Sequence, residues 1–367
     1  MSGASPRLQR LARVRAAMDG AGVDALLLSL GADLPWLTGY EAMPLERLTM
    51  LVLPADADAV LVVPELEAPR VEEDPELFAL RPWAEGDDPV SVVADLVGGR
   101  RRLAVSDRAW ATFLVSLQSA LPGRSWEVSS RVTGPLRAVK DRAEVEALAA
   151  VSAAADRVAA ALLGGEIALV GRSERDVSDE LGRRLVAEGH DRVNFAIVGS
   201  GPNSASPHHE PGARVIGPGE AVVCDFGGTM AGYCSDITRT VLTGDPSPEL
   251  AELYAVLQEA QASAVAAATV GTACEDVDRV ARERIAAGGY GDAFIHRTGH
   301  GIGLEEHEDP YIVAGNRQGL VAGHAFSVEP GIYLSGRYGA RIEDIVVATD
   351  SGPRPLNLAS HDLTVVA

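Results

Sequence analysis

The sequence is short of basic residues and of long apolar runs, and each scarcity excludes a class of partner. Lysine and arginine total 32 against 52 aspartates and glutamates, which gives a formal net charge of −20. Nucleic acid or an anionic membrane as a partner would require a basic patch, so this charge argues against both. No apolar run approaches the ~20 residues of a membrane span. We therefore expect neither a nucleic-acid nor a membrane partner.

Cysteine is also scarce. The chain has three cysteines, Cys224, Cys234 and Cys274, with no C-x-x-C spacing between them. An odd number cannot form a disulfide framework without a leftover thiol. We interpret all three as small core residues and predict a reducing, cytoplasmic location.

Two common hydrolase signatures are missing. The sequence contains neither the HExxH of zincins nor the GxSxG of serine hydrolases. The Gly-rich stretch at 299–303, GHGIG, fits neither of the phosphate-loop patterns GxGxxG and GxxxxGK. Any hydrolytic site must therefore be built from other residues.

Histidine is absent from the first half of the chain, since all eight lie beyond residue 189. Residues 1–135 alternate between helix-like and strand-like segments and hold no cluster of acids in apolar strands. They predict an α/β domain with a structural or substrate-shaping role. Its predicted helices cover 7–19, 64–73 and 110–120, and its strands begin near 25, 48, 59, 103 and 126.

A change in composition at Thr133, Gly134 and Pro135 predicts a linker, and so domains at 1–135 and 136–367. Helices are predicted for 141–163, for 174–188 after Ser173, and from Pro248 to about 269 after Ser247. Interleaved strands are predicted at 194–198, 325–334 and 340–348. The histidines assign the chemistry to this second domain.

The stretch at 224–240, CDFGGTMAGYCSDITRT, predicts a β-hairpin that carries two aspartates. With its tip at Met230 and Ala231, Asp225 would lie directly opposite Asp236 on one face of the sheet. Two charges ~4 Å apart at an effective dielectric near 20 repel by roughly 4 kcal/mol. The pair therefore requires a proton, a cation or a metal, and we interpret it as half of a metal site.

Four further residues with metal-binding or acid–base side chains follow the hairpin in strand-like or Gly-rich sequence: His300, His307, Glu329 and Glu343. The two glutamates and the two hairpin aspartates together give four carboxylates, and two divalent cations would balance their charge. An oxygen-rich set with the single imidazole of His300 suits Mn²⁺, Co²⁺ or Zn²⁺, and such paired metals support hydrolysis.

Each residue alone also has a structural explanation. An aspartate beside a glycine turn is usually a turn former, and His307 by itself would more often be a satisfied structural histidine. The functional interpretation depends on the coincidence of all five candidate ligands in one domain.

These residues resemble the pita-bread metallopeptidases, the family of methionine aminopeptidase, aminopeptidase P, prolidase and creatinase. The motifs DFGG, GYCSDITRT, GHGIGLEEHE, VEPGIY and RIED stand in the family order, and SGPNSASPHHEP is similar to a further family segment. The resemblance implies an α/β N-terminal domain followed by an α+β pita-bread domain. The N-terminal domain favours a proline-specific peptidase, and membership of the family would imply a homodimer.

The resemblance also implies residue roles. Asp225 would hold one metal, His300 and Glu329 the other, and Asp236 and Glu343 would bridge them. Glu329 would act as general base toward the attacking water. The remaining implied residues are His208 and His307, which would bind substrate and donate hydrogen bonds to the developing oxyanion, and Arg341, which would steady a ligand carboxylate.

The sequence departs from the prolidase pattern at one position. Many prolidases have an arginine shortly after HExP that can bind a dipeptide's free carboxylate, whereas Tyr311 follows HEDP here. Tyr311 is a candidate substrate-binding residue, and Arg317 or a residue of the first domain could supply the missing charge. The leading hypothesis is an Xaa-Pro dipeptidase that acts on small peptides with proline second.

Three alternatives remain open: an Xaa-Pro aminopeptidase acting on longer peptides, a metal-free creatinase-like amidinohydrolase, and a non-catalytic binding module on the same fold. The full set of candidate ligands disfavours the last two.

Overall fold

The structure is a computed structural model that describes residues 5–366. The chain divides into two compact units, Met1–Arg137 and Ala138–Ala367. Across the described residues, none of the helices combines the length and apolar character that crossing a membrane requires.

The described residues form helices and strands that we number in chain order. The helices are α1 Pro6–Ala21, α2 Asp33–Thr38, α3 Pro89–Val97, α4 Ala111–Ala120, α5 Ser130–Ala138, α6 Arg142–Leu163, α7 Glu174–Ala187, α8 Pro248–Ala267 and α9 Cys274–Ala287. The strands of the first unit are β1 Ala25–Leu28, β2 Met50–Pro54, β3 Val60–Pro64, β4 Ala79–Trp83, β5 Arg102–Val105 and β6 Ser125–Val128. Those of the second unit are β7 Arg192–Ser200, β8 Ala221–Met230, β9 Tyr233–Cys234, β10 Ile237–Leu242, β11 Gly299–Gly301, β12 Glu308–Ile312, β13 Ala325–Val328, β14 Gly331–Leu334, β15 Tyr338–Arg341, β16 Asp344–Thr349, β17 Gly352–Pro355 and β18 Thr364–Val365.

The first unit is built on a six-stranded mixed sheet in the order β4-β3-β2-β1-β5-β6. Its central strands are apolar along their whole length, as expected for strands covered on both faces. Leu27, Val52 and Val62 pack there with Val93 of α3 and Leu117 of α4, all fully buried. This arrangement agrees with the α/β pattern expected from the sequence.

Two local predictions in the first unit are wrong. The predicted helix at 64–73 is only a single 3₁₀ turn at Ala68–Arg70, because prolines at 64 and 69 lack the N–H groups that a helix needs. The predicted linker at 133–135 lies inside α5, despite the proline at position 135. Tertiary contacts hold this helix: the buried carboxylate of Asp33 accepts hydrogen bonds from Thr133 and Arg137, at 2.9 and 3.0 Å.

The second unit contains two larger sheets and a short ribbon. Strands run in the order β18-β10-β8-β7, with β9 paired to β8, and in the order β12-β11-β13-β16-β17, while β14 pairs with β15. Apolar residues of α6 and α7 pack with the first sheet, and those of α8 and α9 with the second. The candidate site residues are carried by both sheets.

The predicted starts of three helices in the second unit are confirmed. Asp141 caps α6 and Ser173 caps α7, each in a reciprocal capping box that satisfies otherwise orphaned backbone N–H groups. Ser247 caps α8, with Pro248 at the first helical position. Short polar caps followed by helix formers are strong local signals, which explains why sequence alone located these boundaries.

The hairpin forms, but its predicted register is wrong. The tip lies at Ala231 and Gly232, both with positive φ (49° and 85°), as a tight two-residue turn requires. Asp225 consequently pairs with Thr238 rather than with Asp236. Because side chains alternate with a period of two, this two-residue shift leaves Asp236 diagonal to Asp225 on the same face.

The two strands predicted at 325–334 and 340–348 are each interrupted. Glu329 and Pro330 separate β13 from β14, and Ile342 and Glu343 separate β15 from β16. An isolated antiparallel bridge joins Glu343 to Thr238 of β10. Both glutamates are therefore presented where strands break, close to the sheet that carries the aspartates.

Candidate metal centre and active site

Acidic and imidazole side chains from distant parts of the second unit meet in one cavity of about 550 Å³. One donor atom from each of Asp236, His300 and Glu343 lies within 4.8 Å of the other two. The Nε2 atom of His300 lies 3.2 Å from Glu329 Oε1. Asp225 lines the same cavity. The structure thus brings together all five candidate ligands.

Three carboxylate oxygens in this cluster are buried without a hydrogen-bond donor from the described part of the chain. They are Asp225 Oδ1, Asp236 Oδ1 and Glu343 Oε1. Buried polar atoms without partners cost several kcal/mol each, so such a group of acceptors is uncommon in a folded protein. Buried carboxylate oxygens that lack donors, on residues that line one cavity, fit divalent cations, which bind several carboxylate ligands at once.

The electrostatics of the cluster agree with this fit. Burial raises the pKa values of Asp225, Asp236 and Glu343, and repulsion from neighbouring carboxylates raises them further. For Asp236 and Glu343 the pKa lies well above the ordinary value. Without a cation, these groups resist ionisation together, and bound positive charge would reverse that tendency.

His300 is oriented to offer a lone pair to the cluster. Its Nδ1 lies 3.1 Å from the carbonyl oxygen of Gly301, which can only accept, so Nδ1 carries the proton. When the ring is neutral, Nε2 therefore carries the lone pair, and it is the nitrogen directed at Glu329 and Asp236. Burial opposes ionisation of Glu329, but in the absence of metal the hydrogen bond and charge of a protonated His300 Nε2 outweigh it and lower the pKa of Glu329 to about 2.

Two residues of the surrounding shell fix the carboxylates. Thr238 donates its hydroxyl to Glu343 Oε2 at 2.7 Å and accepts from Nε of Arg341 at 3.0 Å. Arg341 also donates to Asp225 Oδ2 at 2.5 Å and to the hydroxyl of Tyr333 at 2.9 Å. Arg341, which the family resemblance implies would steady a ligand carboxylate, therefore holds Asp225, the candidate ligand of one metal.

His307 lies beside His300, with 4.0 Å between their ring centroids. Burial of its ring, together with positive charge at His300 and Arg297, lowers the pKa of His307 to about 4. The guanidinium of Arg297 donates to His307 Nδ1 at 3.4 Å, so the neutral imidazole carries its proton on Nε2. His307 is thus prepared to donate one hydrogen bond into the cavity at neutral pH.

The other two predicted substrate-contacting residues differ in position. His208 lines the cavity from an irregular segment after β7. Tyr311 is not among the lining residues; its ring lies behind Arg297, whose guanidinium carbon is 4.6 Å from the ring centroid. The suggested substitute Arg317 is also outside the cavity, largely exposed and 3.5 Å from Glu275.

Several residues of the site were not identified from the sequence. His296 lines the cavity and its Nε2 lies 2.9 Å from the hydroxyl of Tyr333. Phe195 and Ile197 of β7 form an apolar wall. A histidine just before the Gly-rich stretch was a usable signal, but nothing local distinguishes these two apolar residues from ordinary core.

Comparison with known proteins agrees with this geometry. Residues 145–350 match Metallopeptidase family M24, and residues 10–139 match the Creatinase/Prolidase N-terminal domain. The chain is 45% identical over 363 residues to a probable dipeptidase PepE of Mycobacterium tuberculosis, covering 98% of this chain and 96% of the relative. It is 35% identical over 358 residues to an Xaa-Pro dipeptidase of Lactobacillus helveticus, with 94% and 95% covered.

A solved structure of dipeptidase PepE from Mycobacterium ulcerans is similar throughout, with a TM-score of 0.92, 46% identity and 98% of each chain covered. These matches confirm the predicted fold class, an α/β creatinase-type N-terminal domain followed by a pita-bread domain. A metallopeptidase family implies divalent metal ions, and relatives that are dipeptidases imply a small peptide substrate. The chain therefore belongs to metallopeptidase family M24 and is a peptidase.

Proposed function

We propose that this peptidase hydrolyses the bond before proline in Xaa-Pro dipeptides, using two divalent ions held by Asp225, Asp236, His300, Glu329 and Glu343. The observation that carries the proposal is the set of three buried carboxylate oxygens without donors, on residues that line one cavity with the imidazole of His300. Four carboxylates and one imidazole favour Mn²⁺, with Co²⁺ and Zn²⁺ as substitutes.

Bound divalent ions would polarise the scissile carbonyl and lower the pKa of water. The chain's own groups supply the remaining steps. Glu329 accepts the proton of the attacking water. The hydroxyl of Ser327 donates to Glu329 Oε1 at 3.1 Å and holds this carboxylate in position. His307 donates from Nε2 to the developing oxyanion, and His208, which lines the same cavity, donates a second hydrogen bond.

A dipeptidase also needs a positive charge for the free carboxylate of its substrate. Arg297 lines the cavity, rests on the ring of Tyr311, and forms no ion pair with any carboxylate in the described part of the chain. A guanidinium fixed in this way can bind a carboxylate through two parallel hydrogen bonds. This feature supports the dipeptidase over the Xaa-Pro aminopeptidase, which acts on longer peptides.

The test is hydrolysis of an Xaa-Pro dipeptide and the matching Xaa-Pro tripeptide, each with Mn²⁺ and then with excess chelator. The proposal expects metal-dependent turnover and a higher kcat/KM for the dipeptide. Arg297→Gln should raise KM for the dipeptide roughly tenfold more than for the tripeptide, because both substrates depend on the contact of Arg297 with His307 but only the dipeptide uses its charge. Arg317→Gln is the matched control and should change neither.

Three results would contradict the proposal. Turnover that survives complete metal removal would exclude the metal centre, and absence of turnover on any Xaa-Pro peptide would exclude the specificity. A preference for the tripeptide, with equal effects of Arg297→Gln on both substrates, would favour the aminopeptidase.

A further inference from the structure

A buried glutamate outside the metal cluster organises the segment that carries His208. Glu174, in the first turn of α7, is fully buried. Its Oε1 accepts from the backbone N–H and the hydroxyl of Ser200, both at 2.8 Å, and from the side-chain amide of Asn203 at 3.0 Å. One carboxylate oxygen therefore fixes the point where the chain leaves β7.

The other oxygen fixes the far side of the same segment. Glu174 Oε2 lies 2.8 Å from Nε2 of His209 and 3.5 Å from the backbone nitrogen of Gly212. An ionised carboxylate can only accept, so His209 donates this hydrogen bond. Burial alone would raise the pKa of Glu174, yet these donors outweigh burial and lower it, which keeps the acceptor charged.

His209 also closes the turn that presents His208. Its backbone N–H donates to the carbonyl of Ser206 at 3.2 Å, so Pro207 and His208 occupy the two central positions of the turn. On the other side, Arg341 donates to the carbonyl of Pro207 at 3.3 Å. His208 thus stands between two anchors, one tied to the candidate metal centre and one tied to α7.

Residues 206–212 have no helix or strand of their own and are half-buried or exposed. With so little regular structure, the side-chain hydrogen bonds determine how well the turn is ordered. A misplacement of a hydrogen-bond donor by about 1 Å can cost ~100-fold in rate.

We propose that Glu174 and His209 form a positioning pair, which holds the turn at 206–209 so that His208 reaches the substrate. This inference rests on the proposed function only for the role of His208, since the ordering of the turn can be measured without substrate. Neither residue touches the candidate metal ligands, so metal binding is expected to be independent of the pair.

The variants separate positioning from general stability. His209→Leu removes the donor, whereas His209→Gln keeps an N–H at a similar reach. Glu174→Gln replaces the charged acceptor. Glu180→Gln is the matched control, because Glu180 lies on the same helix and bonds to Arg172 and Arg184 instead of the turn.

Kinetics on an Xaa-Pro dipeptide provide the first measurement. His209→Leu should lower kcat/KM by roughly 10- to 100-fold, mainly through kcat, with unchanged metal content. His209→Gln should retain most of the activity, and Glu180→Gln all of it. In a His208→Ala background, His209→Leu should add less than about a twofold further loss, because the pair acts through His208.

Amide hydrogen exchange provides the second measurement and needs no substrate. His209→Leu should exchange faster at residues 206–212, with the rest of the second unit unchanged, while His209→Gln and Glu180→Gln should match the native protein. Native exchange and native kcat/KM in His209→Leu would overturn the proposal, even if Glu174→Gln fails to fold. The proposal would also be overturned if His209→Leu reduced activity as much in the His208→Ala background as it does in the native protein. If no Xaa-Pro peptide is hydrolysed, the proposed function fails, and exchange alone decides the ordering of the turn.

Discussion

Thr238 donates its only hydroxyl proton to Glu343 Oε2 at 2.7 Å, while the same oxygen atom of Thr238 accepts from Arg341. This bond crosses from β10 to the break between β15 and β16, and it leaves Glu343 Oε1 free of donors. Thr238 therefore selects which oxygen of Glu343 faces the rest of the cluster.

Replacing Thr238 tests this orientation. Thr238→Val keeps the shape but removes the donor, so we expect metal affinity and kcat/KM to fall by roughly 10- to 100-fold. Titration calorimetry with Mn²⁺ and steady-state kinetics provide the measurements. Thr238→Ser restores the hydroxyl and should recover most of the loss; native affinity in Thr238→Val would show that Glu343 orients without it.

Asp236 tests the electrostatic cost of the cluster. Divalent ions at 100 times their Kd should stabilise the native protein by about 2.7 kcal/mol, seen as a higher Tm than in chelator. Asp236→Asn removes one of the repelling carboxylates. We expect the variant to lose the metal-dependent rise in Tm and activity, while its Tm in chelator equals or exceeds that of the native protein. A clearly lower Tm in chelator would mean that Asp236 stabilises the metal-free fold.

His324 should make stability depend on pH. Burial, with a smaller effect from Lys140, lowers the pKa of this histidine to about 4. Between pH 6.5 and 4 the unfolded chain binds a proton at this position that the native state does not, so stability falls as pH falls. The contribution is about 3 kcal/mol, fully present above pH 6.5 and lost toward pH 4. Urea unfolding of His324→Gln at pH 7 and 4.5 should show a shallower decline than the native protein; parallel declines would exclude the assignment.

The hairpin tip offers a stabilising substitution. Ala231 has a φ of 49°, a conformation that strains any residue with a Cβ, whereas glycine adopts it freely. Ala231→Gly should raise the free energy of unfolding by roughly 0.5 kcal/mol, because the strain that it relieves exceeds the destabilisation from glycine's larger conformational entropy in the unfolded chain. Gly232→Ala is the opposite control: its φ is 85°, and an added Cβ would lie 3.3 Å from Leu304. Equal stability of the two variants would contradict this account.

The sequence alone identified the order of the candidate ligands and the starts of α6, α7 and α8, because caps and buried acids are local signals. It misplaced the hairpin tip by one residue and expected unbroken strands at Glu329 and Glu343. Turn type depends on which residues adopt positive φ, and the interruptions arise from contacts between strands far apart in the chain.

The sequence by itself therefore determined which side chains could bind metal, since a carboxylate or imidazole in apolar sequence requires a partner wherever the fold takes it. The tertiary structure alone decided how those side chains are oriented. The Arg341 contact with Asp225, the Thr238 bond to Glu343 and the pairing of Glu174 with His209 join residues 35 to 116 positions apart. Contacts of that separation arise only when the sheets and helices pack, and no pattern of neighbouring residues specifies them.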